Sequence, residues 1–287
     1  MQVKTIKKNI VAKMEDWLQS IESDTLRLQV RNSLLVSGGC IANMFLNQDV
    51  NDYDVYIQDY DVLLKLANYY CKDHTEVEVI SKENADKILS TCNGHKAVVC
   101  ENVLRRGGVS LYSHDGGLYI TEPDKEKKYQ VIALSCNAIS LTEDIQIVLR
   151  FYGTPDEVHK TFDFIHATNY FTYEKGLVVN EAALTSLLEK QLHYQGSQYP
   201  LTSILRAKKF IKRGWNINAG EYLKIMFQIS ELNLKDINVL YDQLVGVYVA
   251  YFHKLIEVLQ NVHPDKYTSA YINEIIDRVF NEYDGEI

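Results

Sequence analysis

The chain has 287 residues, 46% of them hydrophobic, and a formal charge of −8. That length supports one large core or two modest ones, and the acidic balance excludes a protein that coats nucleic acid through a general positive field. No run of about 18 apolar residues occurs and the first residues mix lysine with isolated apolar side chains, so neither a membrane-spanning helix nor a secretory leader is expected and the location reads as cytosolic. Cys40, Cys71, Cys92, Cys100 and Cys136 are odd in number and lack any C-x-x-C pair. This disfavours a disulfide framework or a zinc ribbon and predicts free, mostly buried thiols.

The first thirty residues read as helical, with Ile6, Ile10, Met14 and Trp17 recurring at three-to-four spacing. Ser33 to Val36 reads as a short buried strand, broken at Ser37-Gly38-Gly39, after which Ile41, Met44 and Phe45 return to helical spacing. In Asn51-Asp52-Tyr53-Asp54-Val55-Tyr56-Ile57 the residues alternate as in a half-buried strand, which puts Asp52 and Asp54 on one face. Residues 60–72 predict a helix and Val77 to Ile80 another strand.

From about 96 to 151, short alternating segments separated by Gly107-Gly108, Gly116-Gly117 and the charged stretch 122–128 predict a β-rich insertion of antiparallel strands, near 96–144. Pro155-Asp156-Glu157 marks a helix start. Phe162 to Phe171 reads as a strand carrying Asp163, with a turn at Tyr173 to Gly176. Beyond a boundary near 178 the pattern is helical, and Leu240, Leu244, Val247, Tyr248, Tyr251, Leu255 and Val258 trace an apolar stripe. The fold class expected is therefore α/β (α+β) with a mixed sheet over 1–177, followed by a mainly helical domain over 178–287.

The chemistry concentrates in residues 34–57. Two carboxylates one residue apart on a strand project to the same side and can share hard divalent cations; magnesium, or manganese in its place, suits so open a site. The Gly38-Gly39 pair lets backbone approach a triphosphate, and Ser37 can add a hydroxyl donor. Hydrophobic residues, Ser37 and the glycines, twelve intervening residues and then Asp-hydrophobic-Asp-hydrophobic resemble the hallmark of the DNA polymerase beta-like nucleotidyltransferase superfamily, which includes poly(A) polymerases, CCA-adding enzymes and antibiotic nucleotidyltransferases. The resemblance implies a nucleotidyltransferase fold in which Asp52 and Asp54 bind metal and a later strand supplies a third carboxylate. Asp163 is the choice for that role and Glu78 the rival.

The segments 145–151 and 162–167, with Arg213-Gly214-Trp215, are also similar to uncharacterised bacteriophage proteins of this kind, which would place the protein in a host cytoplasm. CCA-adding enzymes carry an arginine-aspartate pair in the helix after the glycines. Here that helix reads Cys40-Ile41-Ala42-Asn43-Met44, leaving Asn43 either as a contact to phosphate or ribose or as an exposed helix residue with no role.

Arg206, Lys208, Lys209, Lys212 and Arg213 put five cations into eight residues. Arg206, Lys209 and Arg213 share one helical face and suit a triphosphate or an RNA backbone; Trp215 is a core residue or a base-stacking one, and His166 a core histidine. The function expected is metal-dependent transfer of a nucleoside monophosphate from a nucleoside triphosphate to an acceptor hydroxyl, an RNA 3′ end ahead of a small molecule or a protein. The alternative is a catalytically inactive binding or structural protein of the same fold, which the 20 tyrosines would suit. A toxin or antitoxin of this fold is a third reading.

Overall fold

The computed structural model describes residues 1–114, 116–120, 122–124, 127–234, 236–244, 258–259 and 268–281. The chain forms two compact units, Met1–Gln195 and Gly196–Ile287.

The first unit opens with α1 (Val3–Gln19) and α2 (Asp24–Ser33). In α1, Ile6, Ile10, Met14 and Trp17 are fully buried along one stripe, each worth about 1.5–3 kcal/mol of burial. Ser23 caps α2 by accepting from the Leu26 N–H. Then come β1 (Leu34–Ser37), α3 (Gly39–Phe45), β2 (Tyr53–Ile57) and α4 (Tyr60–Cys71), in the order the glycine turn and the alternation predict.

Residues 78–112 depart from expectation. β3 (Glu78–Ile80) pairs with β4 (Ser110–Tyr112) in a separate two-stranded sheet, and α5 (Lys82–Leu89) and α6 (His95–Arg106) lie between them. The insertion expected to be strand-rich from 96 thus begins with a helix. Val99, Cys100 and Val103 fall on one face and bury with Ile80 and Ala85, and no turn residue interrupts until Gly107, whose φ of +79° ends the helix.

β5 (Gly117–Tyr119), β6 (Val131–Ser135), β7 (Ala138–Leu141) and β8 (Ile145–Val148) follow as an antiparallel run, then α7 (Pro155–His159). Thr154 and Glu157 form a reciprocal capping box at the start of α7. β9 (Tyr170–Thr172), β10 (Gly176–Val178) and α8 (Glu181–Glu189) complete the unit. The expected strand Phe162–Phe171 is broken. Phe164 makes an isolated bridge with Tyr194, Gln195 N–H donates to the Asp163 carbonyl and Ile165 N–H to that of His193, and a 3-10 turn occupies Ile165–Ala167. Pairing with 193–195 takes the backbone that a sheet strand would need.

The main sheet has the order β10-β9-β1-β2-β8-β7-β6-β5. It is mixed, because β2 and β8 run parallel while the other pairs are antiparallel. One face carries the large core built by α1, α2, α3 and α4 over Leu34, Val36, Val55, Ile57 and Ile147. The opposite face holds a small cluster of Leu35, Tyr56 and Val158. By the period of two, Ser37 and Asp54 lie on this thinner face.

The first unit runs past 178, since α8 packs on the 165–167 turn. The second unit is helical: α9 (Pro200–Lys212), α10 (Ala219–Ser230), α11 (Ile237–Leu244) and α12 (Ser269–Asn281). Of the expected stripe over 240–259, Val247, Tyr248, Tyr251 and Leu255 lie outside the described residues. The five cysteines are free, with Cys40, Cys71 and Cys100 buried.

Candidate active site on the thin face of the sheet

The site is set by how β1 ends. Ser37 is fully buried and its hydroxyl lies 2.8 Å from Nε2 of His159 and donates to the Asn169 carbonyl at 2.9 Å. Gly38 follows with φ +94°, a region only glycine enters without strain, and its N–H donates to the Ala167 carbonyl at 3.1 Å. A Cβ placed on Gly38 would stand 3.1 Å from Oδ2 of Asp54. The glycine turn and the D-x-D strand, separated by twelve residues, therefore meet atom against atom. A Cβ on Gly39 would meet nothing within 4 Å, so the surface over that residue is open.

β2 presents the carboxylates. Asp52 is exposed just ahead of the strand and Asp54 is half-buried within it. Tyr53 N–H donates to the Asp144 carbonyl at 2.7 Å, which fixes the start of the strand against β8. In the parallel register Asp54 stands beside Gln146, whose amide donates to Ser140 on β7. A polar row from Asp54 through Gln146 to Ser140 thus crosses the sheet.

The field of the pair reaches into the first turn of α3. There the buried Cys40 thiol is pushed well above its ordinary range, first by burial and then by the negative charges of Asp54 and Asp52. The oxygen-only donor set of Asp52 and Asp54, open on one side, fits a hard divalent cation that retains water.

The remaining expected residues divide. The Ser37 hydroxyl is turned inward to His159 and Asn169, so it braces the turn instead of facing a ligand. Asn43 donates from Nδ2 to the Asp49 carbonyl at 3.0 Å and so holds the loop that leads into Asp52. Asp163 is buried in the bend before the 3-10 turn. There its charge opposes the burial that lowers the His166 pKa to about 4.

Glu78 belongs to the two-stranded sheet and is ion-paired with Lys96. Among the described residues no three of His, Cys, Asp and Glu group as a metal site. On the neighbouring strand the residue beside Asp54 is Gln146.

Arg206, Lys209 and Arg213 are exposed on α9 and at its end, in the second unit. Trp215 is buried, its ring 5.5 Å from that of Phe210, and is a core residue. His159 and Gln146 are the positions that sequence reasoning passed over. Gln146 carried a signal, a polar residue between Ile145 and Ile147, but only the parallel register reveals that it adjoins Asp54.

A glycine turn laid against a D-x-D strand on a mixed sheet is the arrangement that the sequence resemblance to nucleotidyltransferases leads one to expect. The chain belongs to the family described as Gabija anti-defense 2 family protein, whose match covers residues 8–190. It is 21% identical over 229 residues to "Gabija anti-defense 2" of Bacillus phage SPbetaL7, covering 79% of this chain and 45% of that protein. The chain thus spans about half the length of the curated relative it matches.

Among solved structures it is similar to a tRNA-processing enzyme with CTP, at 13% identity and a TM-score of 0.39, covering 85% of this chain and 54% of that one. A Thermotoga maritima CCA-adding enzyme complexed with tRNA is similar at 12% identity and a TM-score of 0.39, over 94% and 71%. Both overlaps are loose. Among the described residues no helix is long and apolar enough to cross a membrane.

Proposed function

We propose that this chain transfers a nucleoside monophosphate from a nucleoside triphosphate to an acceptor hydroxyl, and that it does so as part of a phage counter to Gabija defence. The observation that carries the reading is the 3.1 Å approach of the Gly38 Cβ position to Oδ2 of Asp54. It sets a backbone turn with open space over Gly39 beside Asp54 on the strand, with Asp52 just ahead of it. A scaffold has no use for that combination.

Asp52 and Asp54 would hold magnesium or manganese, which when bound supplies charge neutralisation to the triphosphate and acidifies the acceptor hydroxyl. The residues of the chain do the positioning. Gly38 and Gly39 admit the phosphates to the backbone, Asn43 holds the middle of the 46–52 loop through the Asp49 carbonyl, and the Tyr53–Asp144 bond holds its end. In the transfer, the acceptor oxygen forms a bond to the α-phosphorus, the bond from that phosphorus to the bridging oxygen breaks and pyrophosphate leaves. The hydroxyl proton passes to the carboxylate pair or to solvent.

RNA is the acceptor this reading favours, because Arg206, Lys209 and Arg213 recur at i, i+3 and i+7 and are exposed, the spacing for one phosphate-binding face. The test incubates the protein with each labelled nucleoside triphosphate, magnesium or manganese, and RNA or lysate, beside Asp52→Ala and Asp54→Ala. Label moved by the parent chain alone supports the reading. No binding or transfer with any metal would overturn it in favour of an inactive binding protein of this fold.

A further inference from the structure

α10 is inside out. Its residues Ala219, Tyr222, Leu223, Met226 and Phe227 recur at i, i+3, i+4, i+7 and i+8, the stripe by which a helix ordinarily joins a core. Here the stripe faces solvent. Tyr222 is 37% exposed, Leu223 51%, Met226 60% and Phe227 71%, while Glu221 and Ile225 on the other side are buried. The polar inward side is fully engaged. Glu221 takes an ion pair from Lys224 at 3.0 Å, and Gln228 exchanges two hydrogen bonds with the Ser197 backbone. The outward apolar face is thus fixed by the inner bonds, and a contiguous apolar patch of this kind marks an interaction surface.

Charge selects the occupant. α9 packs against α10 and exposes Ile204, Lys208, Ile211 and Lys212, which share a face at i, i+4, i+7 and i+8, apart from that of Arg206, Lys209 and Arg213. A second copy of this chain docked symmetrically over α10 would bring two sets of these lysines together, and like charges oppose that. We infer that α10, with the Lys208 and Lys212 face of α9, is a docking surface for a protein segment that is amphipathic and acidic. Such a segment sets its apolar side chains on Leu223, Met226 and Phe227 and its carboxylates towards the lysines, in the helix-in-groove manner. This inference does not depend on the nucleotidyl-transfer reading.

The test uses fluorescence anisotropy of a labelled synthetic amphipathic helix with leucine and phenylalanine at i, i+3, i+4 and i+7 and glutamate elsewhere. A second peptide has every glutamate replaced by lysine. Binding of the acidic peptide should weaken by about tenfold or more in Phe227→Glu and in Met226→Ser. It should also weaken in Lys208→Glu, persist in Arg206→Glu, and fail with the lysine peptide. Circular dichroism melts on each variant establish that it is folded, and Met226→Ser, a milder change, stands in for Phe227→Glu should that variant melt early.

Absence of binding to the acidic peptide, or binding indifferent to Phe227→Glu, would overturn the inference. Dimerisation of the parent chain that Phe227→Glu abolishes would assign the face to a second copy. Sedimentation with phosphatidylglycerol vesicles, or capture of a single-stranded RNA, lost in the same variant would assign it to membrane or nucleic acid. Each of these also overturns it.

Discussion

Ser37 and His159, 122 residues apart in the chain, meet at 2.8 Å. The Ser37 proton goes to the Asn169 carbonyl, so the bond to His159 is satisfied when Nε2 carries the ring proton and donates to the hydroxyl oxygen. This contact holds the residue immediately before Gly38. Ser37→Ala therefore leaves a half-buried ring nitrogen and a buried carbonyl without their partner, and an expected loss of about 1–3 kcal/mol is measurable by urea denaturation.

His159 and His166 both have pKa values lowered to about 4, each chiefly by burial. In the unfolded chain each titrates near about 6.5. Between those values the unfolded chain binds more protons than the folded one, so stability is present above pH 6.5 and is lost as the pH falls towards 4. The melting temperature should drop across that window, and the drop should shrink in a His159→Gln, His166→Gln double variant. An unchanged slope in the double variant would show that other groups carry the acid sensitivity.

Gly38 and Gly39 should respond unequally to alanine. At Gly38 the methyl meets the Asp54 carboxylate on a backbone of φ +94°, and a cost of about 1–3 kcal/mol is expected. At Gly39 the space is open, and stability should change by no more than about 0.5 kcal/mol. Triphosphate affinity, read by calorimetry with magnesium, should nevertheless fall in Gly39→Val, because the added side chain occupies the surface proposed for phosphate. Parent-like affinity in that variant would move the triphosphate elsewhere.

Trp17 donates from its indole N–H to the Tyr70 hydroxyl at 2.9 Å inside the core. Burial pushes the Tyr70 hydroxyl far up its scale, so it stays protonated and available as acceptor. Tyr70→Phe removes the acceptor and strands the indole, an expected loss of about 1–3 kcal/mol. Trp17 fluorescence reports the same change through its environment.

The strand, turn and helix around Gly38 and the D-x-D strand were legible because each follows a local period or a local backbone need. α6 was not. Its apolar residues are scattered through 97–104 without a clean alternation, and only the burial of Val99, Cys100 and Val103 together against Ile80 and Ala85 shows the helical face. The strand expected over 162–171 misled for a related reason: Thr161 to Phe164 alternates like a strand, yet its partner is the 193–195 segment and not the sheet that carries Asp54. Which residue stands beside Asp54 is a question of register between strands ninety residues apart, and no local pattern encodes that.

The parallel pairing of β2 with β8 also bears on when the site comes into being. Asp54 leaves the ribosome long before Gln146, and Ser37 longer still before His159 and Asn169. Loop closure over such separations is slow, and in chain order the turn has no brace until α7 and the start of β9 have been made. A chain stopped before residue 155 would carry both aspartates and both glycines and still lack the brace of His159, Ala167 and Asn169, so the turn is secured only after the whole strand-rich insertion has been made.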